Sequence, residues 1–163
     1  MTFHRVLLPL FLLISPYSCF GTLQGANEDT SSGCDRTYQD KSNNTQTRLK
    51  RLSEERLALM FDVARWKWNE KKEVTDPTRE KELLEKLVKQ GEALGIPPNS
   101  TRDFFIAQFE SSRNLQESYF AEWRETNQGY FENVPDLGSV QRPKIEDVSQ
   151  NMLQALAESI APN

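Results

Sequence analysis

This chain of 163 residues lacks several things, and each absence excludes a class of structure or partner. No stretch alternates β-branched and polar residues with the period of two that a half-buried strand needs, so a sheet protein is excluded. There is no surplus of cations: the net charge is −4, and the pI is near 5.2. A chain-wide affinity for nucleic acid or for an anionic membrane surface needs the opposite balance, so neither is expected as a partner. Long apolar runs are missing too. The most hydrophobic segment, Val6-Leu7-Leu8-Pro9-Leu10-Phe11-Leu12-Leu13-Ile14, falls well short of the ~20 residues that cross a bilayer, and Pro9 and Pro16 interrupt it.

That short run follows His4 and Arg5 and leads into a small-residue region ending near Cys19-Phe20-Gly21. A basic start, an apolar centre and a small-residue end describe a secretion signal, expected over residues 1–21 with cleavage after Gly21. The mature protein would then begin at Thr22 and be exported, to the periplasm or outside the cell, with no membrane association once the signal is gone. Cysteine is equally scarce, with only Cys19 and Cys34 present. Cleavage removes the first, so no intramolecular disulfide can staple the mature chain and its core must suffice. Cys34 has no neighbouring histidine or basic cluster to make it a nucleophile.

What is present is one modest globular domain: 37% of residues are hydrophobic and 27% charged. Residues 22–46 are rich in Thr, Ser, Asn, Asp, Gly and Gln and poor in aliphatics, so they are expected to form a disordered polar arm. From Thr47 to Asn163 the apolar residues recur at helical spacing, and the fold class is all-α, a single helical domain of about four helices. The helices are expected at roughly 47 to 72, 77 to 94, 100 to 126 and 143 to 160. Asp76-Pro77 starts the second, with a carboxylate to accept from free amides and a proline where no amide partner is lost. Gly95-Ile96-Pro97-Pro98 ends it, and Asn99 or Ser100 is expected to cap the third. The segment Gly129–Pro143 is the longest connection, and no internal repeat is visible. Asn43-Asn44-Thr45 and Asn99-Ser100-Thr101 fit the N-glycosylation pattern, which matters only in a eukaryotic secretory pathway.

The chemistry lies in what interrupts the apolar stripes. In the first helix the buried line reads Leu49, Leu52, Arg56, Leu59/Met60, Val63, Lys67. Arg56 and Lys67 are eleven residues apart, about 20° beyond three full turns and some ~16 Å along the axis, so both cations share the core-facing side. In the second, Asp76, Arg79 and Glu80 continue into Leu83, Leu87 and Leu94. In the third, Ser112 and Gln116 sit in an aromatic line with Phe105, Phe109, Tyr119/Phe120 and Trp123. Taken singly, an arginine or lysine here reads as a side chain whose stem packs on the core and whose charge reaches water. Taken together, three cations on core-facing stripes need more counter-charge than Asp76 and Glu80 supply, and an unpaired buried charge costs several kcal/mol. The helices therefore enclose a pocket for a small polyanion rather than a dry core.

The ordered set Arg56, Lys67, Asp76, Arg79-Glu80, Ser112, Gln116, with the blocks RLALMFDVARWKW, DPTREKELLEKL and ESSRNLQESYFAEW, resembles chorismate mutase of the all-helical type, and most closely its secreted, periplasmic subclass. The resemblance covers residues 48–126 strongly and the last helix weakly. It implies conversion of chorismate to prephenate by an intramolecular Claisen rearrangement, without cofactor, metal or covalent intermediate, in a site inside one protomer. It further implies that Arg56 and Arg79 hold carboxylates, that Lys67 and Gln116 donate to the ether oxygen, that Glu80 and the helix start at Asp76 engage the substrate hydroxyl, and that Ser112 bonds a carboxylate. A homodimer is compatible with this reading.

The subclass brings an arginine from the last helix to the pocket, and in Val148-Ser149-Gln150-Asn151-Met152-Leu153 the expected position holds Asn151. Arg142, Lys144, Arg48 or Arg51 are the candidates to replace it. Asn151 also motivates the competing reading, an inactive secreted helical binding protein that keeps the mutase fold; Lys67, Glu80 and Gln116 argue against it, because a chain freed from catalysis has little reason to keep such groups on core stripes. A third reading, self-association through Trp66, Trp68 and Trp123, competes with the simpler account that these rings pack the core.

Overall fold

The structure, a computed structural model, describes residues 32–160, with side chains from Asn43 onward. The expected export signal over 1–21, the start of the polar arm and the Cys34 side chain lie outside those described residues. Five α-helices follow in order: α1 Ser32–Ala58, α2 Met60–Asn69, α3 Pro77–Ala93, α4 Pro98–Glu125 and α5 Arg142–Ile160, the last entered through a π-helical turn at Leu137–Gln141. No strand occurs among the described residues. The chain is all-α, as its periodicity requires.

Three boundaries differ from expectation. The first helix starts at Ser32, so the polar segment expected as a disordered arm is helical over 32–46. Composition measures what a segment can bury, whereas extending an already nucleated helix gains one hydrogen bond per residue fixed. Among the described side chains of this extension Thr45, 7% exposed, faces inward, and the Thr47 hydroxyl donates to the Asn43 carbonyl at 2.8 Å. The helix expected over 47–72 is interrupted at Leu59, but its φ of −68° and ψ of −20° remain helical and the Val63 amide still reaches its carbonyl at 3.2 Å. The break is local. At α4 neither Asn99 nor Ser100 caps: the helix begins two residues earlier, after Pro97, because Pro98 has its φ preset and no amide to satisfy.

The second helix start follows its sequence signal, with the Asp76 carboxylate accepting from the Arg79 amide at 3.1 Å and Pro77 in the first turn. It ends as Gly95 adopts φ +79° and the Ile96 amide returns to the Gly91 carbonyl at 2.9 Å, a geometry that suits glycine. The entry to α5 is less ordinary. The Asp136 carboxylate accepts from both the amide and the hydroxyl of Ser139, each at 2.7 Å, and the Asp136 carbonyl accepts from the amides of Val140 and Gln141. The Ser139 amide is the main cause that holds this carboxyl below the usual range. A π turn accommodates one residue more than an α turn, so it decides which residue of the following helix faces inward.

α1 packs along α5, α3 along α4, and α2 along α4. The interior is apolar at its two ends. At one end Leu52, Leu87, Ile96, Phe105, Met152 and Leu153 meet; at the other Ala64, Val74, Phe120 and Trp123 meet. Between them the buried residues turn polar: Arg56, Ser112 and Gln116. The apolar ends supply burial free energy to the fold, and they hold the polar middle in place.

Among the described glycines, Gly91 is the one where two helices, α3 and α4, approach too closely for a side chain. A β-carbon there would lie 2.4 Å from the Thr101 hydroxyl oxygen, and Thr101 is fully buried. Gly91→Ala is therefore expected to destabilise the protein by about 1–3 kcal/mol, the usual cost of overpacking, despite alanine's better helix propensity. Urea denaturation would measure this, and Gly91→Ala/Thr101→Ala is expected to recover most of the loss. An unchanged midpoint in the single variant would show that the helices can separate freely.

Candidate functional site

The polar middle opens into a cavity of about 530 Å³, lined by the end of α1, α2, the link between α2 and α3, α3, α4, the π-helical turn and the start of α5. All seven residues singled out from sequence line it: Arg56, Lys67, Asp76, Arg79, Glu80, Ser112 and Gln116. Six cations, Arg56, Lys67, Lys72, Arg79, Arg113 and Arg142, face four carboxylates, Glu73, Asp76, Glu80 and Glu146. In a chain of net charge −4 the cavity wall therefore carries a surplus of two positive charges.

Arg56, 4% exposed, reaches the cavity from α1. Its Nη1 donates to the Ser112 hydroxyl at 2.5 Å and to the Gln108 carbonyl at 3.3 Å, and the guanidinium lies 5.4 Å from the centroid of the Phe109 ring. Its Nε has no hydrogen-bond partner. Desolvation pulls the guanidinium pKa down to about 10, against a smaller opposing pull from Glu80. No carboxylate among the described residues lies within ion-pair distance of this cation. Ser112 in turn donates to the Gln108 carbonyl at 2.7 Å, which leaves its oxygen facing the arginine.

Lys67 enters from α2, and its Nζ donates to the Val74 carbonyl at 2.5 Å, which tethers the link that carries Asp76. Burial is the main cause that lowers its pKa below the ordinary lysine value; Asp76 and Glu80 oppose the shift and Arg142 reinforces it. Gln116, also 4% exposed, donates from Nε2 to the Ser112 carbonyl at 3.0 Å and lies 3.5 Å from the Met60 sulfur, while its Oε1 has no partner. Thus two deeply buried side chains of the cavity wall hold unused hydrogen-bonding capacity. Arg79 sits exposed at the rim, 3.9 Å from Glu82, and Glu80 is held by Arg113 Nη1 at 2.5 Å.

Arg113 was not among the residues expected from sequence. It lies beside the Ser112–Gln116 stripe rather than on it, and only the packing of α3 on α4 brings it to Glu80. The last-helix expectation needs correction: Asn151 is exposed and does not line the cavity, whereas Arg142, the first residue of α5, does. Of the other candidates, Arg48 pairs with Glu158 at 2.7 Å and Arg51 with Glu55 at 3.4 Å, both away from the cavity, and Lys144 does not line it.

Comparison with known proteins places this geometry in a family. The family model described as chorismate mutase type II matches residues 40–117. The crystal structure of chorismate mutase from Burkholderia thailandensis superposes with a TM-score of 0.66 at 40% identity, covering 69% of this chain and 71% of that one. The crystal structure of chorismate mutase from Burkholderia phymatum shares the fold, with a TM-score of 0.67 at 21% identity, over 72% of this chain and 71% of that one. A secreted chorismate mutase of Yersinia pestis is 28% identical over 109 residues, which are 67% of this chain and 58% of the relative, so the match spans under two thirds of that relative's length. The chain belongs to the chorismate mutase type II family.

The lowered Arg56 pKa has a consequence for stability. The unfolded chain holds that proton to higher pH than the folded one, so the folding penalty is fully present below about pH 10 and relieved only as pH rises from there towards the range where a free guanidinium loses its proton. At neutral pH it is about 3 kcal/mol, at ~1.4 kcal/mol per pKa unit. Arg56→Met is therefore expected to leave the ligand-free protein as stable or more stable while removing the stabilisation that an added dicarboxylate gives the parent. Thermal unfolding with and without malonate would measure both, and a variant several kcal/mol less stable would show that Arg56 is well paired.

Proposed function

We propose that this chain is an exported chorismate mutase, converting chorismate to prephenate. The observation that carries the reading is the surplus of two positive charges around a buried, unpaired guanidinium, in a cavity sized for a small organic dianion. Chorismate carries two carboxylates. In its rearrangement the bond from ring carbon to ether oxygen breaks while the enolpyruvyl methylene carbon bonds to the ring. All atoms and electrons are retained, so the protein needs only to fold the substrate into its compact reactive shape and stabilise the charge that grows on the ether oxygen.

The residues suit that division of labour. Arg56 with Ser112 and Arg79 with its planar fork would clamp carboxylates, and Arg142 takes the place of the cation first sought at Asn151. Lys67, set between Arg56 and the helix start at Asp76, would donate to the ether oxygen. Gln116 would supply the second donor there once its amide turns from the Ser112 carbonyl. Glu80, oriented by Arg113, and the first turn of α3 at Asp76 would engage the ring hydroxyl. Export is supported by the apolar start of the chain and by the secreted Yersinia relative.

The test is the loss of chorismate absorbance with the exported chain, whose first residue by mass spectrometry is expected to be Thr22. Saturable turnover to prephenate is expected, falling about 10²–10³-fold in kcat for Lys67→Ala, as when an oxyanion donor is lost. A folded protein without turnover would instead support the inactive binding protein. Because Lys67 must carry its proton and burial lowers its pKa, kcat/KM is expected to fall with rising pH below the free-lysine value of 10.5. Gln116 does not ionise, whereas the Arg56 guanidinium, its pKa lowered to about 10 by burial, adds its own loss at the alkaline end, so a flat alkaline profile would remove both cations from the mechanism.

Arg142 and Asn151 give a separate comparison. Arg142→Ala is expected to lower kcat/KM about 10-fold, the loss of one hydrogen bond to a charged group, with little change in stability since the side chain is exposed. Asn151→Arg is expected to leave turnover unchanged. Steady-state kinetics reporting the reverse pattern would mean that α5 presents a different face to the substrate.

A further inference from the structure

A second cavity, of about 510 Å³, shares Lys67, Lys72 and Glu73 with the first, so the link between α2 and α3 is a wall common to both. Its composition differs from that of the first. Trp68 and Phe120 line it as an aromatic pair, ring centroids 5.3 Å apart at 87°, and Tyr130, 73% exposed, stands at its edge. Lys71, Lys72 and Arg124 supply positive charge, and none of the three has a carboxylate within ion-pair distance among the described residues. Arg124 lies over the Phe120 ring at 5.7 Å, which leaves its planar donors without an anion. Glu73 is the sole carboxylate lining this cavity among the described residues.

The backbone at this wall is under tension. Lys71 adopts φ +52°, in the left-handed region that a side chain with a β-carbon disfavours, with its amide on the Trp68 carbonyl at 3.2 Å. Three residues on, Val74 is buried against Ala64, Phe120 and Trp123, and its carbonyl is the anchor of Lys67 Nζ. A body resting on Phe120 and drawing in Lys72 would therefore press on the segment that positions Lys67.

We propose that this second cavity binds a small anion with a flat aromatic body, such as an aromatic carboxylate, and that its occupancy shifts the wall anchoring Lys67. The aromatic pair supplies the stacking surface, and the unpaired cations supply the carboxylate recognition. The volume is that of a ligand pocket rather than a crevice for water.

The probe is 1-naphthoate, titrated into the full mature chain and read on the indole N–H resonances of Trp68, which lines the second cavity, and Trp66, which lines the first. A saturable shift of Trp68 is expected, weakened at least ~10-fold by Arg124→Gln and by Lys71→Gln, kept in Arg56→Met, and absent with uncharged 1-naphthylmethanol. Both glutamine variants alter exposed side chains. Unaltered affinity in both, or loss of binding in Arg56→Met, would overturn the site, the latter by placing the probe in the first cavity. A Trp66 shift that saturates in step with Trp68, and whose midpoint moves with it in Arg124→Gln, is expected from the shared wall. A Trp66 resonance unmoved at saturation would overturn the coupling. Neither readout depends on turnover of chorismate.

Discussion

A guanidinium held almost entirely out of water without a carboxylate against it is the constraint around which this molecule is organised. Arg56 is tolerated because the Ser112 hydroxyl, the Gln108 carbonyl and the Phe109 ring each supply a partial substitute for water. None cancels the charge. The surrounding helices must therefore stay together for other reasons, and they do so through two apolar ends that enclose the polar middle. The cost of the site is carried by packing elsewhere, the usual relation between a preorganised site and its scaffold.

The same constraint explains the arrangement of the other charges. Glu80 is near enough to act on Arg56 and Lys67, but its direct partner is Arg113. Asp76 is engaged with the amide of Arg79. Glu80 and Asp76, the two carboxylates that act most on Lys67, are thus each engaged elsewhere, and the surplus positive charge of the cavity is left for an incoming ligand. In a chain of net negative charge, this local surplus is what distinguishes the interior from the surface.

How much of this was legible in the sequence depended on whether the signal was local. The cap at Asp76-Pro77 and the stripes holding Arg56, Lys67, Ser112 and Gln116 could be read because helical periodicity converts spacing directly into facing, and all of these residues reach one cavity. Arg113 could not, since its relation to Glu80 exists only once α3 lies on α4. The helical extension back to Ser32 was hidden because a polar composition reports poor burial, not poor helix continuation. Asn151 was the instructive miss: it lies nine residues, about two and a half turns, along α5 from Arg142, and the last helix was where the sequence resemblance was weak, so no local signal tied either residue to the cavity. The N-terminal and C-terminal ends of the stripe differ in legibility for this reason alone.

The wide π-helical turn before α5 also bears on how relatives should be compared. It adds one residue to the chain without displacing either of the elements it joins, so chain length rather than residue identity decides which side chain is delivered to the cavity. A relative with an ordinary turn would have one residue fewer here and present a neighbour, about 100° away around the helix, unless its sequence were shifted by one place. In this chain the Asp136–Ser139 bonds that hold the wide turn thereby also fix where α5 begins, and so which residue stands at the mouth of the cavity.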